Sequence, residues 1–414
     1  MLYMNKSKCL TAFAMLFLLF GYAQDNNLTS SPYSLFGLGV ESNSNTGRNS
    51  GLGKTGIALD AKRGINLNNP ASFASLKENE FVLDFGGSAE LMNQYTDNSN
   101  EQDLTSSFTN ISLGFNSNGK YGMGLTLKPA SNVGYSLTGL ESNIEGSNES
   151  FITNIEGSGG LNELRLDYGR KMSKDLNLGI KASYLFGKIE ESESISTNDS
   201  YFDITEENYY SGFQLGLGLQ YQLLPKHNFG LTVDFPTALQ GTKDVQIGKY
   251  LNSAYSLLDD TNGETIDDFN LPLKVGIGYS TMYKNLLLTA DYNKSFWSST
   301  NQSDAIGEYT DQNIFGLGAS YSKNPNGLKY WDRVDYRMGL NYNSGYLKVA
   351  DKNIDTYAAS LGIGLPIGQR SLLNLSYSLS KKGTTESILV EEYIHTLNIN
   401  ISLSDIWFQK TKYE

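Results

Sequence analysis

The chain has 414 residues and a formal net charge of −12, with 42 Gly, 27 Tyr and 19 Phe against only 8 Pro and 2 His. Such an acidic balance argues against a nucleic-acid partner, whose phosphates demand a basic surface. The single cysteine, Cys9, precedes the first apolar run, so the rest of the chain has no disulfide, no thiolate chemistry and no Cys-based zinc site.

Residues 1–23 read as a secretory signal peptide. Lys6 and Lys8 form a basic start, Leu10 to Phe20 an apolar run, and Gly21 and Ala23 the small residues before an expected cleavage after Ala23. The apolar run is too short to span a bilayer, which takes roughly 20 residues.

Residues 24–80 are rich in Gly and Asn and show no sustained alternation. Within them, GRNSGLGKTG (Gly47 to Gly56) resembles a phosphate loop. A Walker loop needs G-x-x-x-x-G-K-[ST], and here Arg48 stands at its first glycine position. Gly51, Gly53 and Gly56 do satisfy G-x-G-x-x-G, but that spacing has meaning only between a strand and a helix of a βαβ unit. The segment is too small for a separate domain with a good core. It is expected to form an N-terminal plug, with glycines supplying tight backbone turns and Lys54 facing a lumen carboxylate.

From Phe81 to Phe408 the pattern changes. Phe213, Leu215, Leu217, Leu219, Tyr221 and Leu223 alternate with Gln214, Gly216, Gly218, Gln220 and Gln222, and Leu397 to Leu403 and Leu373 to Leu379 repeat the scheme. In a sandwich the apolar face would cover a core; in a membrane barrel it faces lipid while a small, polar face lines a wet lumen. The small polar second face recurs in nearly every run, and only a closed barrel satisfies strand backbones within lipid. About fourteen such runs predict an all-β fold, a transmembrane antiparallel β-barrel of about fourteen strands. Residues 409–414 follow as a short tail.

Connections alternate between short, often basic ones (116–120, 170–175, 224–228, 282–285, 366–370) and long acidic ones (141–149, 190–200, 259–268). Short periplasmic turns and long extracellular loops are the outer-membrane pattern. Trp297, Trp331 and Trp407 lie near run ends, where interfacial girdles form.

The chain resembles the FadL/OmpP1/TodX family of outer-membrane transporters in its Bacteroidota form. The resemblance rests on the signal, on Ser50 to Ala58 (S-G-L-G-x-x-G-x-A), on Asn69-Pro70-Ala71 and on the barrel that closes at the C-terminus. It implies a barrel closed by an N-terminal hatch and the passive passage of long-chain fatty acid-like or aromatic molecules. Gly51, Gly53, Lys54, Gly56, Asn69, Pro70 and Ala71 are then the candidate gating residues. The fold also serves accessory subunits of outer-membrane assembly or secretion machines, so it leaves open a second, non-catalytic structural role.

Pro129 interrupts the third run and removes a ladder donor. Pro129, Ser131, Asn132 and Gly134 therefore mark a kink. The residues alone leave open a strand that bends above the membrane; the resemblance implies a lateral opening in the wall. Asp84, Lys128, Arg165, Asp167, Lys181, Lys274, Asp291, Asp335 and Arg337 are expected inside, either as a lattice that holds the hatch or as neutralising charges in a wet lumen.

No enzyme is expected. His227 falls in a turn and His395 in the last strand, with no nucleophile placed beside either. The acidic stretch 259–268 lacks EF-hand spacing and reads as a solvated loop. No cofactor or metal is required. The expected partners are outer-membrane lipid, a hydrophobic small molecule and other outer-membrane proteins.

Overall fold

The computed structural model describes residues 29–406, apart from 43–46, 62–63, 97–98, 144–149, 198–199, 252–253, 305 and 369. The expected signal peptide, Trp407, Phe408 and the tail at 409–414 lie outside the described residues.

In chain order the strands are β1 (Val40–Glu41), β2 (Glu80–Tyr95), β3 (Asn100–Asn116), β4 (Tyr121–Pro129), β5 (Ser131–Asn143), β6 (Ser150–Lys171) and β7 (Leu176–Ser196). Then come β8 (Ser200–Leu224), β9 (His227–Asp234), β10 (Thr237–Leu251), β11 (Ala254–Leu271), β12 (Lys274–Tyr283), β13 (Leu286–Ser295) and β14 (Gly307–Tyr309). The last are β15 (Gln312–Tyr321), β16 (Asp335–Asn343), β17 (Leu347–Val349), β18 (Lys352–Asn353), β19 (Thr356–Ile367), β20 (Ser371–Lys382) and β21 (Glu391–Ile406).

Neighbouring strands pair antiparallel around a closed, 14-strand barrel. Here β4 with β5, β9 with β10, and β11 with β12 each form one broken barrel strand. The ring closes where β2 pairs with both β21 (Leu83↔Leu403) and β3 (Leu83↔Leu113). Apart from the part of β3 above Ile111, closure leaves no open sheet edge inside lipid, where an unsatisfied backbone group would cost several kcal/mol.

The alternation on β8 explains the choice. Phe213, Leu215 and Leu217 stand exposed on the outer surface, whereas Gln214 and Gln220 are buried toward the lumen. A water-soluble sandwich would reverse that arrangement. An outward apolar belt of this kind is stable only against lipid.

Tight turns at 117–120, 172–175, 225–226 and 284–285 lie at one end, and the long connections lie at the other. The pattern sets the short-turn end in the periplasm and the long-loop end outside.

Three expectations change. Of the expected long connection 190–200, residues 190–196 form the upper part of β7, paired with β6 from Glu190↔Ser158 to Ser196↔Ile152. The acidic segment 259–268 is not a loop; it is part of β11, paired with β10 through Gly241↔Ile266, Thr242↔Thr265 and Val245↔Thr261. Above the belt both strand faces meet water, so the hydrophobic period disappears while the backbone ladder continues. Trp297 is not an interfacial girdle residue. After β13 the chain folds inward over the lumen in a short 3-10 turn, Trp297–Thr300, and Trp297 is buried.

Candidate functional site: a plugged lumen and a break in the third strand

Residues 47–61 and 64–76 fill the periplasmic half of the lumen, and the barrel wall is moulded to them by glycine. At Gly122, Gly179, Gly230 and Gly339 an added Cβ would collide with hatch backbone, at Phe73, Ala71, Ile57 and Gly53 respectively. The inward small residues of the alternating pattern thus leave no room for a side chain between wall and hatch.

The candidate gating residues lie within this contact. A Cβ on Gly51 would sit 3.0 Å from the Gly362 Cα. Gly53 adopts φ +61, a region where a Cβ is costly, and its N–H donates to Ser360 Oγ at 3.1 Å. The Gly56 N–H donates to Asp291 Oδ2 at 2.6 Å, and the Ile57 N–H donates to the same oxygen at 2.9 Å. The Gly53 and Gly56 donors of the GLGKTG loop are therefore committed to the wall, and those of Leu52 and Thr55 to carbonyls within the hatch, which accounts for the loop without a phosphate.

Asn69 is fully buried and makes the anchor of the Pro70–Ser75 turn. Its Oδ1 accepts from the Ala71 N–H at 3.0 Å, while Nδ2 donates to the carbonyls of Ile57 (2.9 Å) and of wall residue Leu219 (3.0 Å). Pro70 and Ala71 lie against Gly218 and Gly179. Behind them, Phe73 joins Ala61, Ile65, Leu67, Leu76 and Val82 in an apolar cluster.

The outer mouth is closed separately. Tyr33, from the turn Pro32–Leu35, and Phe36, directly after it, pack with Trp297, Tyr309, Leu347, Val349, Ile354 and Leu389 from the loops. Trp297 stacks on Tyr346 with centroids 4.5 Å apart. Asp304 ties this cap to the chain, accepting from the Gly37 N–H at 2.9 Å and the Tyr309 hydroxyl at 2.7 Å. Burial lifts the Asp304 carboxyl above its ordinary range despite these two bonds. Tyr33, whose hydroxyl donates to the Val390 carbonyl at 2.6 Å, is pushed up to about 12 by burial.

Between cap and hatch lies a cavity of about 360 Å³. Leu38, Leu161, Leu185, Phe269, Leu271 and Trp297 line one part of it, and a charged floor lines the other. The floor is paired: Lys128 Nζ to Glu163 Oε2 at 2.8 Å, Arg165 to Asp167 at 2.6 Å, and Lys181 to Asp234 at 2.7 Å. Lys274 reaches Glu41 on the plug strand β1 at 2.7 Å. The burial of Glu41 works against its charge, but Lys274 and the Gln312 amide outweigh this and hold the carboxyl below the usual range. Lys54 also faces this cavity, at φ +64, and burial lowers its ammonium against the opposing pull of Glu90 and Glu41. Asp84 accepts from Asn110, Asn400 and Ser402, and Arg337 pairs with Asp335 at 3.0 Å.

The third strand breaks at Pro129–Ala130. Below the break β4 pairs with β3 from Phe115↔Met123 to Ile111↔Leu127. Above it β5 turns inward and pairs with the plug instead, Asn132↔Val40 and Ser131↔Glu41, while keeping β6 on its other side. Among the described residues, the upper half of β3 (100–110) therefore has no strand partner on this side. A second cavity of about 170 Å³ sits behind the break, bordered by Ser107, Phe108 and Thr109 of β3, Asn132 of β5, and Met92 and Ile394. Gly134 is locked by the plug, its N–H donating to Ser34 Oγ at 3.0 Å.

His227 and His395 face the hydroxyls of Tyr279 and Tyr377, each at 2.7 Å. Among the described residues, no group of His, Cys, Asp or Glu side chains could hold a metal ion. The aromatic cap and the role of Glu41 were missed from sequence; their only signal was the aromatic density of SPYSLFGLG (31–39), which has no period to read.

A closed barrel with a hatch below, an aromatic cap above and a break in its third strand is a plugged outer-membrane barrel of the FadL/TodX fold. The profile of the BamG family matches residues 4–414, and the chain belongs to that family. None of the curated proteins matches it in sequence. Among solved structures it is similar to a FadL homologue of Pseudomonas aeruginosa, at 14% identity and TM-score 0.60 over 89% of this chain and 99% of that one. The toluene transporter TodX of Pseudomonas putida gives 13% and 0.58 over 87% and 97%. The toluene transporter TbuX of Ralstonia pickettii gives 15% and 0.55 over 86% and 96%. At these identities the likeness establishes the fold.

Proposed function

We propose that the protein is a non-enzymatic outer-membrane barrel, exported with a signal peptide cleaved after Ala23, that lets small hydrophobic molecules cross passively. The observation that carries this reading is the break between β3 and β5 with a cavity directly behind it. An aromatic or aliphatic molecule enters beside the cap around Trp297 and Tyr346, and occupies the apolar part of the central cavity. It leaves sideways between Thr109 and Asn132, past the kink at Pro129, Ser131, Asn132 and Gly134. This route bypasses the hatch, so the charged floor turns the ligand toward the wall. The contact of Gly51, Gly53, Lys54, Gly56 and Asn69-Pro70-Ala71 with the wall keeps the periplasmic end closed. The toluene transporters of the same fold support this reading. It is tested by hydrocarbon uptake in cells with and without the chain; equal rates sink it.

A second reading is a non-catalytic subunit of an outer-membrane assembly or secretion complex. Two observations favour it: the match to the BamG family along the chain, and strands that rise far beyond the lipid belt. Tyr201 lies twelve residues beyond Phe213 on β8, about 30 Å above the belt once strand tilt is allowed for. Passage through the lumen has no need of such a wall. Gentle affinity purification from native membranes tests it. Stoichiometric partners are expected, and a lone barrel contradicts the subunit role.

A further inference from the structure

The outer wall ends in an open strand edge. Beyond the lipid belt, β6, β7, β8, β10 and β11 continue as one sheet, and β11 is its last strand. Its inner neighbour is β10; on the other side, β12 starts only at Lys274, after Pro272, and pairs with β9 and β13. From Ala254 to Asp268, among the described residues, no strand covers this outer edge. A long exposed edge is a ready template for another strand, and natural proteins usually cover or shorten it.

Two features say what fits there. At the base of the edge, the Gln302 side-chain amide donates to the Asn270 carbonyl at 2.9 Å and accepts from the Asn270 N–H at 2.6 Å. A peptide-like group thus already occupies the first position, with both bonds of a ladder pair. Above it β11 carries Asp259, Asp260, Glu264, Asp267 and Asp268 and no Lys or Arg. A second copy of this edge would be repelled, as would an anionic lipid headgroup. The exposed Tyr255, Leu257 and Leu258 at the tip add apolar anchors, and Tyr255 continues a row of rings through Tyr250 to Tyr201, at 4.9 Å and 5.7 Å.

We propose that the free edge of β11 is a docking site for an extended, basic segment of a partner protein, which adds to the wall as a further strand. Main-chain hydrogen bonds supply affinity and the carboxylate row selects Lys- and Arg-bearing partners, the usual division in strand addition. The inference is independent of what passes through the lumen.

The test uses a photo-crosslinking amino acid placed at Thr261, Glu264 or Thr265 in intact cells, with exposed Lys352, on a different loop of the mouth, as control. One discrete protein adduct is expected at the edge positions and not at Lys352, and mass spectrometry should map it to a basic segment of that protein. Reversing the row (Asp259→Lys, Asp260→Lys, Glu264→Lys, Asp267→Lys, Asp268→Lys) should lower its yield at least tenfold. Barrel folding, read independently from the heat-dependent gel shift, should be retained. No adduct, an adduct with a second copy of this chain or with lipopolysaccharide, or a yield unchanged by charge reversal in the folded barrel would overturn the proposal.

Discussion

Phe73 of the hatch lies directly over the bare Cα of Gly124, so close that a Cβ on Gly124 would overlap its ring. The contact couples a wall position that faces the lumen to a fully buried hatch side chain. Gly124→Leu should therefore expel the hatch while the barrel still closes. Limited proteolysis within residues 47–76 should become fast, with the heat-dependent gel shift retained. Phe73→Ala acts from the other side and should weaken hatch docking by about 3–5 kcal/mol, the usual cost of emptying a buried aromatic site.

Asn69 joins hatch and wall through its bonds to Ile57 and Leu219. Asn69→Leu keeps the branch at Cγ but is larger and cannot donate to either carbonyl. The expected loss is about 1–3 kcal/mol, the cost of leaving buried polar groups unsatisfied. Hydrogen exchange should show this as faster opening of Ile57 and Ala71, with the β2–β21 seam unchanged.

Asp304 gives the cap a pH dependence. Its carboxyl is raised in the folded state by burial, so ionisation costs more there than in a released segment. Docking of residues 31–39 should be tightest below about pH 4, the ordinary carboxylate value. It should weaken as pH rises through the raised value and then level off. Protease protection of this segment as a function of pH checks the sign; Asp304→Asn should flatten the profile.

The sequence made the barrel legible because lipid on one side and water on the other force a two-residue period, as on Phe213 to Leu223. It did not reveal β11, since at Asp259 to Asp268 both faces meet water and only the backbone ladder remains. The charged lumen could be read from parity: Lys128, Arg165 and Lys181 lie inside as expected. Their pairing with Glu163, Asp167 and Asp234 could not, because partners sit on different strands or two residues apart and depend on register. The GLGKTG loop misleads for a related reason. Its glycines answer to close approach of the wall at Gly339 and Gly362, a contact between segments far apart in the chain. Trp297 likewise ends a strand in sequence, yet inward folding of the next turn takes it from the expected girdle to the cap.

The most direct test of the central claim closes the break in the third strand. Because Cys9 is the only cysteine and precedes the barrel, Thr109→Cys with Asn132→Cys can be joined across the opening by a short bis-maleimide tether. Uptake of radiolabelled toluene by intact cells is then measured, with each single-cysteine variant as control. The account predicts that the tether lowers uptake to the level of cells lacking the chain, while the single variants behave as the unaltered protein. Equal uptake with and without the tether, in cells whose uptake depends on this chain, would contradict lateral exit between β3 and β5.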